Sequence, residues 1–154
     1  MSGVCDFEEV RADGNIIPAT MTLEELLASG WGPCKVVALR WSHDGSRIEF
    51  HVRGSVLAAV VRGENFVAAM VSDDLSDETE RLVILSPDGS EHGAVENRVH
   101  FMDRDREGHW SWFEPPSSPS ANVFGAVLQT LFDGDFLCDI DASTAQVVAV
   151  RRTR

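Results

Sequence analysis

Three of the chain's four Asp-Gly dipeptides recur at a near-constant spacing that constrains the fold. Gly45, Gly89 and Gly134 each follow an Asp, with separations of 44 and 45 residues. Asp-Gly supplies the positive-φ positions that a tight hairpin needs, and each of the three sits between two segments that read as strands. The surrounding pentapeptides Ser42-His43-Asp44-Gly45-Ser46 and Ser86-Pro87-Asp88-Gly89-Ser90 agree at four of five positions. The clearest strand is 47–53, where Ile48, Phe50 and Val52 alternate with Arg47, Glu49, His51 and Arg53, the period of two of a half-buried strand. Further strands are expected at 36–41, 56–61, 66–71, 81–85, 95–101, 127–132, 136–140 and 147–150.

One helix is signed ahead of this region. Thr22 precedes Leu23-Glu24-Glu25, placing Glu25 three residues after Thr22 as a capping box requires. Met21 and Leu26 occupy the staple positions, Leu23, Leu26 and Leu27 share a face, and Gly30 provides the stop. A short helix over about 22–29, covering one end of a sheet, follows from these signals.

A repeat of 40–45 residues is the length of a four-stranded blade, and the strand-turn-strand rhythm resembles that of β-propeller proteins. The Gly-His and Trp-Asp blade signatures are missing, and three repeats are fewer than the usual four to eight blades. The expected fold is therefore mainly β: one domain over 1–154 with antiparallel sheets in a partial propeller-like or sandwich arrangement and one short N-terminal helix. Two loops interrupt the pattern, the acidic 73–80 and the Pro- and Ser-rich 114–120.

Charge narrows the function. Asp and Glu number 25 against 13 Lys and Arg, for a formal net charge of −12. Nucleic-acid binding depends on neutralising phosphates with basic side chains, so the expected partner is a basic protein and not a nucleic acid. Cys5, Cys34 and Cys138 are odd in number with no CxxC spacing, the usage of a reducing compartment, and a cytoplasmic location is expected. Neither a signal-peptide h-region nor an 18-residue apolar run is present, so no membrane association is expected.

No chemistry announces itself. His43, His51, His92, His100 and His109 form no HxH, HxxxH or HExxH set, and Asp133, Asp135, Asp139 and Asp141 lack the order of a calcium loop. Asp139 and Asp141 are expected on the solvated face of their strand with Leu137. Cys138 falls on the core face, and no Gly-x-Ser-x-Gly elbow, dinucleotide fingerprint or Walker sequence occurs. No metal, cofactor or catalytic residue is assigned.

Two features suit a binding protein. Asp73, Asp74, Asp77, Glu78 and Glu80 form an acidic run that would draw in a basic surface. Further on, Asp103, Asp105 and Glu107 form a mixed-charge turn leading into a strand with Trp110 and Trp112, expected on one face as an aromatic anchor within a charged rim.

In size, charge and strand content the chain resembles the immunity proteins of bacterial toxin systems, as does the closing segment Asp133 to Asp141 followed by 147–150. That resemblance implies an inhibitor that binds a cognate toxin. Where the toxin is a nuclease, its basic substrate groove is met by an acidic inhibitor. Two alternatives stand beside it: a self-associating homo-oligomeric β module built on open sheet edges, and a small β-fold enzyme with an unmarked site, for which His43-Asp44 and His109 are the first places to look.

Overall fold

In the computed structural model, which describes residues 3–73 and 78–153, the chain forms three antiparallel sheets laid down in sequence order. The first contains β1 (Cys5–Arg11), β2 (Ile16–Pro18), β3 (Val36–His43) and β4 (Ser46–His51) in spatial order β2-β1-β3-β4. The second is a meander of β5 (Ser55–Val60), β6 (Val67–Ser72), β7 (Thr79–Leu85) and β8 (Glu91–Val95). The third is a five-stranded meander of β9 (Arg98–Phe101), β10 (Arg104–Glu114), β11 (Val123–Thr130), β12 (Asp135–Asp141) and β13 (Gln146–Arg152).

The Asp-Gly rhythm has a structural counterpart. Each of the three evenly spaced dipeptides joins the third strand of its sheet, counted along the chain, to the fourth: β3 to β4, β7 to β8 and β11 to β12, whereas Asp13-Gly14 lies between β1 and β2. At the first of the three, Asp44 and Gly45 have φ of 49° and 79°, the two positive values of a hairpin turn matched to strand twist.

The sheets stack as three layers with the second in the middle. One face of β6 and β7 offers Val67, Ala69, Val83 and Leu85 to Leu39 and Trp41 of the first sheet. The other face offers Ala68, Met70, Leu82 and Ile84 to Trp110, Leu128, Phe136 and Cys138 of the third. A sheet covered on both sides requires apolar residues at consecutive positions, and the uninterrupted runs 67–71 and 82–85 supply them. Trp41 adds a polar tie between layers, its indole N–H donating to the Pro87 carbonyl at 2.7 Å.

The third sheet curls until its edge strands β9 and β13 approach each other, giving a nearly closed, barrel-like sheet. Arg106 of β10 and Arg152 of β13 lie 5.5 and 5.1 Å from the Phe136 ring centroid and also face the Phe101 ring. Their stacking links the edges where backbone pairing ends.

Several expectations need correction. The N-terminal β1 and β2 were hidden by charge: in Cys5–Arg11, Glu8 is paired with Arg40 of the adjacent β3 and with Arg47 of β4 beyond it. The segment 95–101 is two strands, parted where the chain passes from the second sheet to the third. Residues 104–107 belong to β10, and the turn before them is Met102-Asp103, both at positive φ without a glycine to announce it. The strand expected at 127–132 runs over Val123–Thr130, which leaves Leu131 and Phe132 outside it. Helix α1 (Leu23–Ala28) has the full capping box at Thr22 and Glu25, yet Leu23 and Leu27 are 70% and 75% exposed and the helix buries no residue. Of its residues only Leu26 is half-buried.

Candidate partner-binding surface

The outward face of the five-stranded sheet carries the features a recognition surface needs. On β10 the alternation that buries Trp110 would also bury Trp112, but the register slips between them: Trp110 stands opposite Leu128 and Trp112 opposite Val127. Two residues on β10 thus face one on β11, a β-bulge that turns the strand locally. Trp110 is fully buried and donates its indole N–H to the Glu96 carbonyl at 3.2 Å. Trp112 is 38% exposed and donates to the Glu114 carboxylate at 3.0 Å. The expectation that both tryptophans share a face is corrected by this bulge, which leaves one aromatic for the surface and returns the other to the core.

Trp112 borders a groove of about 740 Å³. Its floor is Val127 and Leu137, both nearly inaccessible; Pro115 and Pro116 form one side, and Glu114, Asp135 and Arg151 stand around it. The proline-rich segment is held down over the sheet. Asp139, expected on a solvated face, is 2% exposed because that segment covers it. Its carboxylate accepts the backbone N–H groups of Ser117 at 2.8 Å and Ser118 at 3.0 Å, and Arg151 Nε donates to the Ser117 hydroxyl at 2.9 Å. Gly125 permits the crossing, since a Cβ there would lie 2.3 Å from the Glu114 carbonyl oxygen and 2.9 Å from Pro116 N.

Asp135 also lines a second concavity, of about 540 Å³, and so joins the two. Here Glu78, Glu107 and Asp135 gather around His109, Thr130 and Leu131. Three carboxylates thus stand at one mouth, beside the groove that Trp112 borders.

The remaining acidic residues are dispersed. Asp74 and Asp77 lie outside the described residues. Asp73 and Glu80 face a different cleft, of about 510 Å³, between the first and second sheets with Arg53, Arg81 and Glu91. Asp103 is exposed in the β9–β10 turn. Asp105 pairs with His100 at 3.0 Å beside a smaller cavity of about 220 Å³. Of the ten residues singled out in the sequence, the structure therefore brings Glu78, Glu107 and Trp112 to one face. Reading the sequence missed Asp135, Val127, Leu137 and Arg151, whose partnership depends on strand register, and the proline-rich cover, which no local signal places.

Burial and the neighbouring Asp139 charge push the Cys138 thiol up to about 12, an inert value for a nucleophile. Among the described residues no three His, Cys, Asp or Glu side chains are grouped to hold a metal ion, and no helix is long and apolar enough to cross a membrane.

No protein-family model matches the chain, and no curated protein does. Among solved structures, the one described as "Structure of Tne2 in complex with Tni2" contains a similar chain, with 30% identity, a TM-score of 0.91, and coverage of 98% of this chain and 99% of that one.

Proposed function

The chain belongs to the family of Tni2, a toxin immunity protein, and from that premise we propose that it binds one cognate toxin and neutralises it by occlusion. The observation that carries this reading is the near-complete overlap, at 30% identity, with a chain from a solved complex. The surface that makes contact is the outward face of the third sheet, where Trp112 supplies the aromatic anchor and Glu78, Glu107 and Asp135 the charge.

The partner is a basic protein. A net charge of −12 attracts it over the distance of the ionic atmosphere, and the carboxylates at the mouth fix its orientation. Asp73, Glu80, Asp103 and Asp105, which stand away from this face, add to the long-range field. Cys5, Cys34 and Cys138 are all free thiols, which suits the cytoplasm of a bacterial cell.

The test is capture from a lysate of the source cell with the tagged full chain, washed at rising salt, with the bound protein identified by mass. A single stoichiometric basic protein that elutes as salt rises is the expected result. A bait that captures nothing contradicts the immunity reading; capture indifferent to salt contradicts its electrostatic part.

A further inference from the structure

The β11–β12 connection displays two large apolar side chains to solvent, Leu131 at 84% and Phe132 at 90% exposure. Single exposed apolar residues are ordinary, but adjacent ones at the tip of a projecting turn mark a contact. This turn is tightly built. The Thr130 hydroxyl donates to the Gly134 carbonyl at 2.6 Å and accepts the Asp133 N–H at 2.9 Å, while Thr130 N donates to the same Gly134 carbonyl at 3.1 Å.

Behind the tip, arginines fix Asp133 on two sides. Arg104 donates to its carboxylate at 2.5 Å, Arg106 Nη1 lies 3.6 Å from the same oxygen, and Arg152 donates to its carbonyl at 2.7 Å. Arg106 and Arg152 rest in turn on the ring of Phe136, a fully buried core residue. The hairpin is thus braced from the core outward. An aromatic on a braced backbone has little freedom left to lose on binding, which is what makes a preorganised anchor effective.

What the tip fits is set by its neighbours. Leu131 borders the concavity that holds Glu78, Glu107 and Asp135, so apolar surface meets three carboxylates. We propose that the Leu131-Phe132 tip is a preformed plug that enters an apolar pocket rimmed by Lys or Arg on the toxin. This rests on the immunity reading above and adds the element that does the blocking.

The experiment measures the affinity of the full chain for the protein that the wild type captures from lysate, purified as the probe. Phe132→Ala and Leu131→Ala are compared with Leu23→Ala, an equally superficial change on α1. The expected result is at least a 30-fold loss for Phe132→Ala, a smaller loss for Leu131→Ala, wild-type affinity for Leu23→Ala, and unchanged melting temperatures throughout. Binding by Phe132→Ala within threefold of wild type overturns the plug and leaves the immunity reading standing. A wild type that captures no protein overturns both.

Discussion

The carboxylate of Asp139 accepts the backbone N–H of Ser117 at 2.8 Å, tying a proline-rich loop across the outward face of the third sheet. That bond and its partner from Ser118 complete one wall of the Trp112 groove. A buried carboxylate satisfied by two backbone donors is strongly position-dependent, because removing it leaves those donors without their acceptor.

Asp139→Ala should therefore destabilise the protein by about 1.5–3 kcal/mol. It should also free the 115–120 segment to exchange amide protons faster. Denaturant unfolding gives the first and hydrogen exchange the second. A variant with wild-type stability and unchanged protection at Ser117 and Ser118 would show that the loop is held by other contacts.

The two tryptophans should separate cleanly. Trp110→Ala empties a fully buried site and should cost about 3–5 kcal/mol of stability, whereas Trp112→Ala should cost much less. In binding the order reverses: Trp112→Ala should lose about 2 kcal/mol, roughly 30-fold in Kd. Chemical denaturation and calorimetric titration on the same preparations measure both. Equal stability losses for the pair would mean that the bulge does not divide their roles.

Reversal of the mouth charges, Glu78→Lys with Glu107→Lys, should slow association several-fold and flatten its dependence on ionic strength, with a smaller effect on dissociation. Asp73→Lys with Glu80→Lys, facing the other cleft, should reproduce only the general loss of net charge. Stopped-flow association at several salt concentrations distinguishes them. If the two pairs behave alike, the field of the whole molecule governs encounter and the mouth has no special part.

The Cys138 thiol, pushed up to about 12 in the folded state, stays protonated where an unfolded thiol ionises near 8.5. Stability that depends on it is complete below that value and falls as pH rises toward 12. Melting temperature should therefore decline more steeply for the wild type than for Cys138→Ala between about pH 8.5 and 11. In the native protein at pH 8 a thiol reagent should label exposed Cys5 and spare Cys138. Rapid labelling at Cys138 would contradict its burial.

The fold was legible where local chemistry dominates. The alternation from Arg47, the Asp-Gly turns and the Thr22–Glu25 capping box each specify backbone within a few residues, and each is present, the strand over Ser46–His51 and so ending two residues before 53. The consecutive apolar residues of 67–71 and 82–85 carried a further message, burial on both faces, that places the second sheet in the middle of the stack. Illegible were features set by distant partners. Glu8 looks solvated until Arg40 and Arg47 arrive from neighbouring strands, and Asp139 looks solvated until a loop 22 residues away covers it. A bulge at Ser111 reverses the meaning of a tryptophan spaced two residues from another. Leu131 and Phe132 continue an apolar strand in sequence, and only the early end of β11 turns them outward.

The most direct test of the central claim is growth of a bacterial host expressing the captured partner, with either the wild-type chain or a folded Glu78→Lys, Glu107→Lys, Trp112→Ala variant supplied alongside. Growth arrest by the partner alone, recovery with the wild type, and continued arrest with the variant are the expected results. A partner that arrests nothing, or a variant that protects as well as the wild type, would contradict it.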